Sequence, residues 1–244
     1  MTNKIAIVTG GNSGIGYATA KEMIANGIKV IITGRRKDAI EKAALEIGAI
    51  PFVADQASLQ DIGHLYNFVK EQFSQIDILF INAGITGEGS LIENASESNF
   101  DNVININFKG AYFTLSKFVP LLNEGASVVF LSSIVAATHK ANSSVYQASK
   151  AALNSIAKTA ASELASRKIR VNIVSPGPTR TEVLSKSGMD EATVSGIFDN
   201  LVNIIPLKKL GIPEDVAKMV MYLSSDSASF ITGSEFLIDG GFML

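Results

Sequence analysis

A doubly wound α/β fold, one parallel sheet with helices on both faces, is the architecture this sequence predicts. Three observations carry the prediction. Short β-branched runs alternate with longer helical stretches along the whole chain. Runs such as Ile76-Asp-Ile-Leu-Phe-Ile81 are apolar on both faces, as strands are when helices cover them above and below. A glycine-rich turn joins the first run to the first helical stretch. With 244 residues, 47% of them hydrophobic, and no Pro/Ser-rich linker, charge block or repeat, the chain reads as one domain, 1–244.

In chain order, strands are expected at Lys4–Thr9, Lys29–Thr33, Ile50–Ala54, Ile76–Ile81, Ala126–Ser132, Ile169–Val174 and Glu235–Ile238. Helices are expected between them, near 14–26, 36–47, 58–74, 98–122, 145–166 and 213–224. Such alternation implies right-handed crossovers between parallel strands. The stretch 98–122 is apolar nearly all round (Phe100, Val103, Ile106, Tyr112, Phe113, Phe118), so it should be buried on more than one side, by the sheet and by a second subunit. The stretch 181–210 is longer than a simple crossover and partly apolar; it is expected to form a helical flap over the active site.

Composition excludes several chemistries. There is no cysteine, which removes disulfides, zinc-thiolate sites and thiol catalysis. His64 and His139 are far apart and read as surface or loop residues, so no metal site is expected. A net charge of −2 with scattered Lys, Arg, Asp and Glu argues against a nucleic-acid or anionic-membrane surface. Met1 is followed almost at once by the strand-like Ile5-Ala-Ile-Val8, leaving no room for a signal peptide, and no apolar run approaches the ~18 residues of a membrane span. A soluble cytoplasmic protein is expected.

The first strand ends in Thr9-Gly10-Gly-Asn12-Ser13-Gly14-Ile15-Gly16, with a helix beginning near Tyr17. Glycine tolerates positive φ and has no Cβ to hold a phosphate away. A helix start offers free N–H groups and the positive end of its dipole, so a dinucleotide pyrophosphate fits there. An ordinary glycine-rich turn is the plain alternative, but the loop follows the first strand of a βαβ unit, as a dinucleotide fingerprint should. At the end of the second strand an NAD-selective site usually presents an acid to the ribose hydroxyls. This chain has Gly34-Arg35-Arg36-Lys37 there. Arg35 and Arg36 could grip a 2′-phosphate; a solvated basic surface is the alternative. NADP(H) is therefore expected in preference to NAD(H).

Ser133, Tyr146 and Lys150 lie thirteen and then four residues apart. Tyr-x-x-x-Lys occurs three times, but Tyr17 and Tyr66 have Lys4 and Val53, not serine, thirteen residues upstream. Ser133 follows an apolar strand-like run; Tyr146 and Lys150 open an Ala-rich helix, where i and i+4 share a face. A strand end and the next helix's first turns meet at the carboxyl edge of a parallel sheet, where open α/β folds place ligands.

These residues resemble the short-chain dehydrogenase/reductase family over essentially the full chain. The matching pieces are Thr9-Gly10-x-x-x-Gly14-x-Gly16, Asn82-Ala83-Gly84, Asn107, Ser133, Tyr146-x-x-x-Lys150, Pro176-Gly177 and Asp239-Gly240-Gly241. The resemblance implies a seven-stranded Rossmann sheet ordered 3-2-1-4-5-6-7 and a homotetramer, sometimes a dimer, with helices 98–122 and 145–166 at a subunit interface. It implies Asp55 near the adenine; Asn82, Ala83 and Gly84 along the adenine ribose; Pro176 and Gly177 behind the nicotinamide; and Thr179 and Thr181 near the carboxamide and phosphates, unless these threonines only cap a helix. Moving a hydride between nicotinamide and a carbonyl carbon leaves charge growing on the oxygen. Tyr146 is the expected proton donor, Lys150 is expected to favour its phenolate and to bond the nicotinamide ribose, and Ser133 is expected to hold the substrate oxygen. The resemblance also implies that Asn107 holds a water of a proton relay, though Asn102 and Asn105 are close by.

Expected pocket residues are Ile85, Ile134, Val135, Ala136, His139, Val183 and Leu184, mostly apolar, which favours an uncharged ketone or secondary alcohol. An NADP(H)-dependent carbonyl reductase is the leading expectation. The β-ketoacyl-carrier-protein reductases meet an acidic carrier with two arginines; Arg167 matches one, but Glu124 stands at the other place. A nucleotide-sugar epimerase or dehydratase, and a catalytically silent dinucleotide sensor, are the remaining alternatives.

Overall fold

The computed structural model describes residues 4–181 and 191–244, with the side chains of 191–194 left aside. Seven parallel strands form one sheet in the order β3-β2-β1-β4-β5-β6-β7. They are β1 (Ile5–Val8), β2 (Lys29–Gly34), β3 (Ile50–Val53), β4 (Ile76–Ile81), β5 (Leu122–Leu131), β6 (Arg170–Pro176) and β7 (Glu235–Ile238). The helices between them are α1 (Gly14–Ala25), α2 (Lys37–Ile47), α3 (Leu59–Phe73), α4 (Glu97–Ile104), α5 (Ala111–Phe118), α6 (Ser144–Leu164), α7 (Glu191–Ile204) and α8 (Pro213–Leu223). The order reverses beside β1, whose neighbours are β2 and β4, so the loops after β1 and β4 splay apart at the sheet's carboxyl edge.

Each face of the sheet carries its own core. Ile7, Leu79, Phe130 and Ile173 pack with α3, α5 and α6 on one side. Val8, Ile32, Phe80 and Val174 pack with α1, α2 and α8 on the other. Phe80, Phe118 and Phe130 are fully buried, and side chains of this size each contribute about 2–3 kcal/mol on burial. The double-sided apolar strands follow from these two cores.

The stretch expected as one helix over 98–122 is divided. α4 ends at Ile104, a π-helical turn runs Asn105–Gly110, α5 follows, and a 3-10 turn carries Val119–Leu121 into β5. Two contacts set these breaks. A Cβ on Gly110 would lie 2.0 Å from the Gln56 carbonyl oxygen, so the backbone there is pressed against the loop after β3. Leu122 already pairs with Ile76, so β5 begins earlier than expected and shifts register before resuming at Ser127. α7 lies within the expected flap region, where its Phe198 ring is 5.2 Å from the guanidinium of Arg180 in the loop after β6. Val183 and Leu184 lie outside the described residues. No described helix is long and apolar enough to cross a membrane.

Candidate active site

The glycine loop is tied to the end of β4 by side chains that sequence alone had assigned to ligand binding. The Thr9 hydroxyl accepts from the backbone N–H groups of Asn82 (2.9 Å) and Ala83 (3.0 Å). Asn82 Nδ2 donates to the carbonyls of Thr9 (2.7 Å) and Gly10 (3.0 Å). Both residues therefore shape the loop from beneath. Gly16 must be glycine here: a Cβ would sit 2.3 Å from the Gly10 carbonyl oxygen and 2.5 Å from Asn82 Nδ2. Gly10 and Gly14 hold positive φ of 67° and 56°. Ser13 precedes α1 in an extended conformation without a side-chain bond, and no acid occupies the first turn, so neither a capping side chain nor a carboxylate compensates the first N–H groups of α1. This cradle, which a Cβ would fill, fits a pyrophosphate.

Around the cradle, Asn12 leans over the end of β2, where a Cβ on Gly34 would come within 3.0 Å of Asn12 Oδ1. Arg35 and Arg36 are exposed beside it, and neither joins an ion pair among the described residues. Asp55 sits past β3, its carboxylate accepting from Ala57 N–H (2.9 Å). Pro176 ends β6, and Gly177 backs onto Asp239, where a Cβ would meet Asp239 Cβ at 2.6 Å. Thr181 stands against Gly14, within 3.8 Å of where a Cβ there would lie. Thr179 does not share that orientation; its hydroxyl donates to the Gly177 carbonyl (3.0 Å), which fits a turn former.

The catalytic candidates converge as the spacing required. Ser133 follows β5 and caps a short 3-10 turn (Ile134–Ala137), accepting from Val135 N–H at 3.4 Å. Tyr146 and Lys150 project from the first turns of α6. Lys150 is buried, its Nζ donates to the Leu131 carbonyl at 2.8 Å, and it lies 5.9 Å from the Tyr146 ring centroid. Desolvation lowers the Lys150 ammonium to about 8. For the Tyr146 phenol, burial raises the pKa and the bond with the Ser133 hydroxyl lowers it, with burial prevailing. The expected depression of the phenol by Lys150 is not found in this geometry. The ammonium is aimed at Leu131 rather than at the phenol, and it is itself weakened by burial.

Asn107 is fully buried in the π turn, the kind of local widening that recurs at functional sites. Its Oδ1 accepts from Ile85 N–H (2.8 Å) and its Nδ2 donates to the Ile85 carbonyl (2.8 Å) and to Ser149 Oγ (3.0 Å). Gly84 fills the gap beside it: a Cβ there would approach Asn107 Oδ1 at 3.2 Å and Lys150 Nζ at 3.4 Å. Sequence reasoning missed Ser149, though its place three residues after Tyr146 and just before Lys150 was a usable signal.

The expected pocket residues divide. Ile134 is buried and Val135 partly so, close to Ser133. Ala136 and exposed His139 instead help line a groove of about 860 Å³ with Leu91, Ile92, Gln147 and Ala151. Gln147 and Ala151 project from the same turns of α6 that carry Tyr146 and Lys150. Among the described residues no group of three or more His, Asp or Glu is placed to hold a metal.

A family model described as enoyl-(acyl carrier protein) reductase matches residues 10–243. A 3α-hydroxysteroid dehydrogenase of Mediterraneibacter gnavus is 33% identical over 98% of this chain and 97% of its own length. The chain is a short-chain dehydrogenase/reductase. A 3-oxoacyl-[acyl-carrier-protein] reductase of Staphylococcus epidermidis is 36% identical to this dehydrogenase/reductase, covering 98% of each chain. The crystal structure of a Brucella melitensis protein titled short-chain dehydrogenase/reductase, glucose/ribitol dehydrogenase, superposes with a TM-score of 0.93 at 29% identity, covering 100% of this chain and 98% of that one.

Proposed function

We propose that this protein is an NADP(H)-dependent carbonyl reductase or alcohol dehydrogenase of the cytoplasm, working as a homotetramer or dimer on an uncharged ketone or secondary alcohol. The observation that carries the reading is the convergence of Tyr146, Ser133 and Lys150 at the sheet's carboxyl edge beside the glycine cradle. Bound there, a nicotinamide supplies or accepts the hydride. Ser133 then holds the substrate oxygen by hydrogen bond, and Tyr146 passes its phenolic proton to that oxygen during reduction. Burial keeps the phenol protonated at neutral pH, the form that reduction needs. Lys150, 5.9 Å from the Tyr146 ring centroid and with its pKa lowered by burial to about 8, would bond the nicotinamide ribose. α7 acts as the flap. The 3α-hydroxysteroid dehydrogenase relative supports a ring-borne secondary alcohol or its ketone as substrate.

Gly34 and the exposed Arg35 and Arg36 support NADP(H). A carboxylate at position 34 would displace Asn12, while the two guanidinium groups are free for a phosphate. The alternative of a 3-oxoacyl-carrier-protein reductase has the Staphylococcus epidermidis relative in its favour. The surface opposes it: the Arg167 guanidinium donates to the carbonyls of Val119 (2.9 Å) and Leu122, and Glu124 pairs with Lys168 at 2.6 Å. Neither place offers a free cation to an acidic carrier.

Tyr146→Phe tests the reading. Turnover of NADPH with cyclohexanone as probe should vanish, while NADPH fluorescence titration shows unchanged binding. Substantial reductase activity in that variant would remove Tyr146 from the proton transfer. Arg35→Ala should lower NADPH affinity at least tenfold and leave NADH affinity unchanged; an equal effect on both cofactors would place Arg35 away from the 2′-phosphate.

A further inference from the structure

We infer that Ser149 is a positioning residue for the catalytic pair, tethering the first turn of α6 to the π turn and to the loop after β4. The inference rests on the reading of Tyr146 and Lys150 just given. Ser149 is fully buried, and its hydroxyl donates to the Tyr146 carbonyl at 2.7 Å. A hydroxyl has one proton; with that proton spent on Tyr146, its oxygen can only accept from Asn107 Nδ2, at 3.0 Å. Both N–H bonds of the Asn107 amide are thereby used, one on Ser149 and one on the Ile85 carbonyl, and its oxygen is held by Ile85 N–H. The result is a closed chain from Ile85 through Asn107 and Ser149 to the backbone of Tyr146.

The start of α6 needs such a tether. Its N-cap, Ser143, makes no side-chain capping bond and no acid lies in the first turn. Helix ends fray when their groups are unpaired, yet this is the turn from which the phenol projects, with the amine one turn further along. Gln147 braces the same turn from the outside by donating to the Lys140 carbonyl at 2.7 Å; Ser149 braces it from the inside. Because both side-chain N–H bonds of Asn107 are committed to protein groups, it acts by fixing this turn, and only its side-chain oxygen and main chain are left to hold a relay water. Misplacing reacting groups by about 1 Å costs about 100-fold in rate, so loosening one turn has a kinetic signature distinct from weaker binding.

The test uses Ser149→Ala and Asn107→Ala, singly and together, plus Ser149→Cys, which is nearly the same size and keeps a weak donor. With NADPH and cyclohexanone, Ser149→Ala should lower kcat about 10- to 100-fold while KM for the ketone and NADPH affinity by fluorescence change less than threefold. Ser149→Cys should fall between it and the parent. The double variant should be no slower than Asn107→Ala alone, because both act through one chain of bonds. Losses that multiply in full, or a kcat within threefold of the parent, overturn the proposal. If Ser149→Ala fails to fold, the Cys variant carries the same comparison. Amide hydrogen exchange at Ile85 needs no turnover and separates the two readings: faster exchange in the Ser149 variants supports the tether even if no ketone is reduced, and unchanged exchange refutes it.

Discussion

Lys150 sets chemistry against stability within a single side chain. A lysine at this depth has given up its hydration for one bond to the Leu131 carbonyl. Its pKa falls from 10.5 to about 8, so the unfolded chain binds that proton more tightly than the folded one. Stability therefore rises as pH climbs from about 8 to 10.5, by about 3 kcal/mol from this residue. Lys150→Met should abolish turnover yet raise stability by about 1–2 kcal/mol below pH 8, after allowance for the lost bond to Leu131. Because the parent gains about 3 kcal/mol over this range, the advantage should vanish near pH 9 and reverse by pH 10.5. Urea denaturation of both proteins at pH 6.5 and pH 10 measures it, and parallel pH slopes would show that the burial cost lies elsewhere. Tyr146 has the opposite direction of shift. Because its proton is held tightly, reduction should run well at neutral pH, whereas alcohol oxidation, which needs the phenolate, should accelerate into the alkaline range. Rate profiles in the two directions that rise and fall together would contradict this assignment.

At the scale of elements, the glycines separate necessity from tolerance. Gly16 is pressed between the Gly10 carbonyl and Asn82, so Gly16→Ala must push the loop open, and at least a tenfold loss of NADPH affinity is expected. Gly63 sits inside α3 with open space where a Cβ would go. Gly63→Ala should stabilise the protein by about 0.5–1 kcal/mol, the ordinary helix preference, with kcat unchanged; thermal melting and the ketone assay check both halves. The same elements show what was legible in sequence. The central strands were readable because both faces of β1, β2, β4, β5 and β6 are largely covered, and the Tyr146–Lys150 step was readable because one helical turn fixes it. The π turn was not: Asn105–Gly110 keeps helical periodicity, and the feature that widens it, the Gln56 carbonyl against Gly110, is distant in sequence. The partner of Lys150 escaped for a related reason, since a main-chain carbonyl carries no side-chain signature. Thr9 and Asn82 were read as ligand contacts because sequence shows that a polar group is needed there but not which neighbour consumes it.

For the molecule as a whole, the surface left over from the two cores bears on the proposed assembly. Phe100, Tyr112 and Phe113 are 41–48% exposed on α4 and α5, and Tyr112 and Phe113 stack edge to face at 5.3 Å. A net charge of only −2 does little to keep such faces apart. Leu237, half exposed on β7, the edge strand at one end of the sheet, offers a second apolar position. In the proposed tetramer these two places would serve two different two-fold contacts, since two such axes close into a tetramer. Tyr112→Glu with Phe113→Glu should break the helical contact alone and leave dimers joined through β7. Leu237→Lys should break the other and leave dimers joined through the helices. Combining all three should give the 25.9 kDa monomer in sedimentation velocity. Because α6 carries Tyr146 and packs against α4 and the π turn, loss of the helical contact should cost more activity than loss of the β7 contact. A parent protein that already sediments as a monomer, or a helical variant that keeps both its size and its full activity, would remove that face from the assembly.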